Sequence, residues 1–178
     1  AVRLSHPAML LRDLSSSPPP PVVPTRMIKA LMTGVGDVAF GSQLLQAMNY
    51  VAAFDHCTLY EFRGEQAPDL LGVSSWGSPQ RVRQSTSAYL DRFHHFDPAR
   101  SVMEGSGDRL FLRYHSGCEM QNSEFRRTCY ESVAILDRLS IVTRTDGGSW
   151  FVANLFRDAA RGPLEERPLD IIGQHAFL

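Results

Sequence analysis

The chain has 178 residues, of which 43% are hydrophobic and 21% charged, enough for one globular domain with a sizeable core. A net charge of −1 argues against a chain drawn as a whole to nucleic acid or to an anionic membrane. No apolar run approaches the roughly 18 residues of a membrane span, and the start lacks the pattern of a secretion signal. Three cysteines, Cys57, Cys118 and Cys129, are an odd number without zinc-site spacing, and reduced thiols in a cytoplasmic protein are expected.

Residues 1–24 read as a leader: "SSSPPPPVVP" lacks the N–H groups that a helix or inner strand needs, and "HPAMLLRDL" before it could form a short apolar turn. Residues 25–178 form the predicted domain. A helix begins near Asp37, with Phe40, Leu44, Met48 and Val51 at helical spacing. "HCTLYEF" (56–62) and "DLLGVSSW" (69–76) are paired strands by their aromatic and β-branched content. Ser78 and Pro79 start a helix whose one face carries Val82, Thr86, Tyr89, Leu90 and Phe93. Asp97-Pro98 repeats that signal for a short helix through Met103, and "RLFLRYH" (109–115) alternates as a third strand.

An Asn122/Ser123 cap opens a helix predicted over 122–136, with Phe125, Cys129, Val133 and Leu136 on one face. In "LSIVTRTDGGSWFVANLF" two strand-like runs flank Asp146-Gly147-Gly148, a tight hairpin turn. A last helix starts at Pro163, with Leu169, Ile172, Ala176 and Phe177 on one face. It reaches Leu178 still apolar, so a continuation of the native protein is expected. This order predicts an α+β fold, an α-β-α sandwich around a five-stranded, mainly antiparallel sheet.

The stretch "YLDRFHHFDPARSV" (89–102) concentrates the candidate chemistry. Asp97 can cap the following helix or orient a polar ligand group, and the two roles are compatible. His94 and His95 point about 100° apart on a helix, which suits one metal ion poorly. Tyr60, Phe62, Trp76, Tyr89, Phe93, Phe111 and Trp150 are either core or the aromatic walls of a pocket between sheet and helix. Ser74, Ser85 and Asn154 are the candidate polar fixers. No common nucleotide, hydrolase or zinc-protease signature occurs, and no cofactor is expected.

"YLDRFHHFDPA", with the downstream helix, hairpin and last helix, resembles the GAF/PAS-like autoinducer-binding domain of LuxR-type transcription regulators over residues 26–178. The resemblance implies that Asp97 accepts a hydrogen bond from a ligand amide and that Tyr89 packs on its acyl chain. The family's lactone-reading tryptophan and a neighbouring tyrosine fall on Ser85 and Arg81, and its glycines after the later helix are absent from "CYESVAILDRLS". The resulting expectation is a cytoplasmic, homodimeric sensor domain that is not an enzyme. It would bind a small-molecule signal through Asp97, Tyr89, Trp76, Phe93, Phe111, Tyr60 and Ser85, and reach DNA only through a further domain beyond Leu178. Two alternatives stand beside it: a ligand-free dimerisation module with a filled pocket, and a GAF-type thiol reductase using the cysteines.

Overall fold

The sheet is built from the alternating runs predicted above. In the computed structural model, which describes residues 11–13, 37–105 and 110–164, β2 (His56–Phe62) and β3 (Asp69–Ser75) form one hairpin. Strands β4 (Leu110–Ser116), β5 (Ile135–Arg144) and β6 (Trp150–Asp158) complete the five predicted strands. A three-residue strand β1 (Leu11–Asp13), in the stretch read as an apolar turn, adds a sixth at the edge. Every pairing is antiparallel, in the order β1-β4-β5-β6-β2-β3. The β5–β6 hairpin closes as predicted: Gly148 has φ +81°, and its N–H donates to Thr145 O at 2.9 Å. The remaining leader residues and the predicted C-terminal helix lie outside the described residues.

Helices cover both faces. On one side α1 (Phe40–Met48) buries Leu44, Leu45 and Met48 against Cys57, Leu59, Leu112, Leu139 and Leu155. On the other, α2 (Pro79–Ala88), α3 (Ala99–Gly105) and α4 (Ser123–Cys129) enclose a second core that includes Tyr60, Phe62, Phe111, Val142 and Val152. The period-2 alternation of the strands separates the two sets. Along β6, Val152 joins the second core while Ala153 and Leu155 join the first.

Two local departures shape the second face. The helix predicted through Phe93 runs as α2 to Ala88 and continues as one π turn, Tyr89–Phe93, in which His94 N–H donates to Tyr89 O. The wider turn keeps both Tyr89 and Phe93 buried. The helix predicted over 122–136 is corrected. It stops at Cys129, passes through a 3₁₀ turn at Glu131–Val133, and ends where Ala134 adopts φ 57°. Leu136 therefore belongs to β5, which begins four residues before the predicted start at Leu139.

Candidate functional site

The inner face under α2 and α4 carries a polar row across four strands. Arg113, Ser140, Asn154 and Thr58 are register partners in β4, β5, β6 and β2. Ser140 Oγ donates to Asn154 Oδ1 at 2.6 Å, and Asn154 Nδ2 reaches Thr58 Oγ1 at 3.4 Å. The next row holds His115, Arg138, Phe156 and His56. Buried polar side chains at this density are costly unless paired, so their partners define the site.

Asp97 is the centre. Its side chain is 1% exposed and that of Arg138 is 2% exposed. Arg138 grips it with two parallel bonds, Nη2 to Oδ1 at 2.7 Å and Nη1 to Oδ2 at 2.9 Å. Tyr89 Oη donates to Oδ2 at 2.8 Å, and the Ala99 N–H donates to Oδ1 at 2.8 Å. Each carboxylate oxygen thus accepts two bonds, which fills the four lone-pair positions of the group. Asp97 takes the expected capping bond from Ala99, while its remaining acceptor positions go to Arg138 and Tyr89.

The charges follow from this geometry. Burial pushes the Asp97 carboxyl up, but the charge and bonds of Arg138, with the Ala99 and Tyr89 donors, bring it below its ordinary value. Burial opposes the Arg138 charge, and Asp97 more than offsets that, so the guanidinium is held more firmly than usual. Burial and the neighbouring Asp97 charge raise Tyr89, keeping its hydroxyl protonated as the donor the site needs.

Only a small cavity remains beside the pair, about 30 Å³, or room for a water molecule. Its walls include Tyr60, Ser85, Thr86, Tyr130, Arg138 and Asn154. Of these, Tyr130 and Arg138 each keep a buried atom, Oη and Nε, without a hydrogen-bond partner. Ser85 lines it, but its hydroxyl donates to Cys129 O at 3.3 Å.

Of the residues singled out by sequence, Asp97 and Tyr89 meet directly, and Tyr60 packs on Tyr89 with ring centroids 5.2 Å apart. Phe93 stacks on Phe125 at 5.6 Å, and Phe111 is buried in the same core; neither lines the cavity. Trp76 departs from the expected wall: it is 60% exposed and does not line the cavity beside Asp97 and Arg138, because it follows the last residue of edge strand β3 as the chain turns toward α2. Ser74 is corrected as well. Its hydroxyl faces Gly41 of α1, across the sheet from the chamber.

The cysteines do not assemble. Cys57 and Cys129 lie in cores on opposite faces of the sheet, and Cys118 is exposed. Burial pushes the Cys57 thiol up to about 12 and that of Cys129 to about 11, the reverse of an activated nucleophile.

Arg138 and Tyr130 were absent from the sequence reading. The signal for Arg138 was its parity with Ser140 and Val142 on the inner face of β5. Assigning 136 to a helix hid that parity.

No protein-family model and no curated protein matches the sequence. Solved structures do. The ligand-binding domain of VqsR from Pseudomonas aeruginosa superposes with a TM-score of 0.58 at 16% identity, over 83% of this chain and 86% of that one. CepR2 from Burkholderia cenocepacia, an N-acylhomoserine-lactone-dependent transcription factor of the LuxR family, superposes with a TM-score of 0.54 at 14% identity. That match covers 87% of this chain and 96% of CepR2. The fold is that of LuxR-type ligand-binding domains. Within that LuxR-type fold the chamber between sheet and helices is here occupied by the chain's own Arg138, bound to Asp97. Among the described residues no helix is long and apolar enough to cross a membrane.

Proposed function

We propose that the chain is the regulatory sensor domain of a LuxR-type transcription regulator, acting as a cytoplasmic homodimer read by a DNA-binding domain elsewhere in the same protein. Its central chamber is held by its own Asp97–Arg138 pair rather than by an acyl-homoserine lactone. One observation carries this: all four acceptor positions of Asp97 are taken by Arg138, Tyr89 and Ala99. A ligand amide would find no free acceptor on it. The remaining space of about 30 Å³ is far below the roughly 300 Å³ at which small-molecule pockets begin. Tyr89, Tyr60, Phe93 and Phe111 then act as the packed interior that keeps the pair dry.

The test is production of the protein without any lactone, followed by thermal unfolding with short- and long-chain N-acyl-homoserine lactones. A folded protein whose midpoint moves by less than about 1 °C supports the proposal. Insolubility without lactone, or a saturable rise of several degrees, would sink it.

One feature favours a second reading, in which a small polar molecule enters the chamber. Tyr130 and Arg138 both line the cavity, and Tyr130 Oη and Arg138 Nε are buried and unpartnered. Tyr130→Phe separates the two readings. It leaves a self-contained domain intact, and it weakens the response to any ligand bound there.

A further inference from the structure

The sheet ends in an open edge at β3. Among the described residues β3 pairs with β2 alone, and its far side carries no partner strand. Edges of this kind are ordinarily blunted by charge or proline, because their free backbone groups invite another strand. Residues 70–77 contain neither, and Leu70, Leu71 and Trp76 are all exposed there. The register shift opposite Leu59 and Tyr60 leaves residues 72–75 in regular pairing with β2.

The backbone fixes which groups are free. The Trp76 N–H donates to Asp55 O at 2.9 Å, which carries the β2–β3 ladder just past Ser75. The antiparallel pattern then turns the N–H and C=O of Gly72, Ser74 and Trp76 toward β2, and those of Val73 and Ser75 outward. Side chains alternate as well. Ser74 lies against Gly41 of α1, and Gly72 and Trp76 share that side of the strand. A Cβ at Gly72 would meet only Leu59, no nearer than 3.5 Å, so packing within the domain does not call for glycine there. A glycine inside a strand often marks the close approach of another group.

We propose that β3 pairs with β3 of a second copy of this chain, antiparallel about a two-fold axis at Ser74. Val73 of each copy then exchanges both backbone bonds with Ser75 of the other, and Trp76 of each lies across from Gly72 of the other. Pairs of the second kind bring side chains closest, which suits an indole laid over a glycine. Charge selects a second copy as the occupant. A two-fold axis sets the strand against itself, and residues 70–77 carry no charge to repel their own counterparts. Asp69, just outside the paired stretch, is held by Arg63. An interface of this length is small, so the dimer is weak and reversible. The inference rests on the homodimer reading above and names its surface.

The test is sedimentation equilibrium of the full chain from about 1 to about 500 µM, with amide exchange followed by NMR at both ends of that range. A reversible dimer with a Kd of about 1–100 µM is expected, and the Val73 and Ser75 amides should exchange more slowly at the higher concentration. Trp76→Ala should leave the thermal midpoint unchanged, because the side chain is exposed. It should raise Kd at least about tenfold, because each dimer loses the Trp76–Gly72 pair twice. A dimer indifferent to Trp76→Ala, or one whose Val73 and Ser75 amides exchange at the same rate at both concentrations, would overturn this surface and leave the homodimer reading standing. A monomer throughout the range would overturn both.

Discussion

Arg138→Met removes the guanidinium from Asp97 and keeps most of the stem's volume. Both side chains are at most 2% exposed, so water cannot take over as the partner. Breaking a buried pair from one side costs about 3–5 kcal/mol, mostly because the other charge is stranded. Asp97 would keep the Tyr89 hydroxyl and the Ala99 N–H, each at 2.8 Å, which places the loss near the lower end, about 3 kcal/mol. Asp97→Asn strands the guanidinium instead and should cost about as much. The double variant should cost about 2 kcal/mol less than the sum of the two, because neither charge is then left alone. For a chain of this size each kcal/mol moves the midpoint by about 2–4 °C, so each single variant should lose roughly 6–12 °C. Urea unfolding curves supply the free energies, and calorimetry supplies the midpoints. A single variant costing under about 1 kcal/mol, or strict additivity to within about 0.5 kcal/mol, would refute the claim that this pair holds the chamber.

Acid should destabilise the fold first through His115. Its folded value of about 3 lies below the ordinary 6.5, so the unfolded chain binds the extra proton and stability falls as pH drops through that window. The slope approaches about 1.4 kcal/mol per pH unit at most, and unfolding midpoints between neutral and mildly acidic pH should flatten in His115→Asn. Asp97, depressed below 3.8, adds its own loss only at still lower pH. With iodoacetamide the native protein should label at Cys118 alone, and rapid modification of Cys57 or Cys129 would contradict their burial. Gly117→Ala should cost about 1–3 kcal/mol, since a Cβ there would lie 3.0 Å from both Leu136 O and the Tyr130 ring; an unchanged midpoint would show that this approach is not tight.

The layers were legible because their signals are local. Aromatic and β-branched content placed β2 at 56–62 to the residue, and Asp146-Gly147-Gly148 fixed the last hairpin. Asn122 capped α4 as read, accepting the Phe125 N–H at 2.9 Å. The partner of Asp97 was not legible. Arg138 lies 41 residues away, and it faces the inner side only after a register shift between Ile135 and Asp137 at the start of β5, which no local pattern announces. Trp76 failed for the opposite reason. Its residue type suggested a wall, but its place after an edge strand decides its exposure, and edge order is a property of the assembled sheet.

The filled chamber also sets what any signal must overcome. A ligand that needs Asp97 has to displace Arg138, and the state in which they are apart is disfavoured by about 3 kcal/mol. That alone lowers apparent affinity by two orders of magnitude or more, whatever contacts the ligand makes afterwards. One amide hydrogen bond returns about 1–2 kcal/mol and leaves the guanidinium stranded, so a neutral lactone does not close the gap.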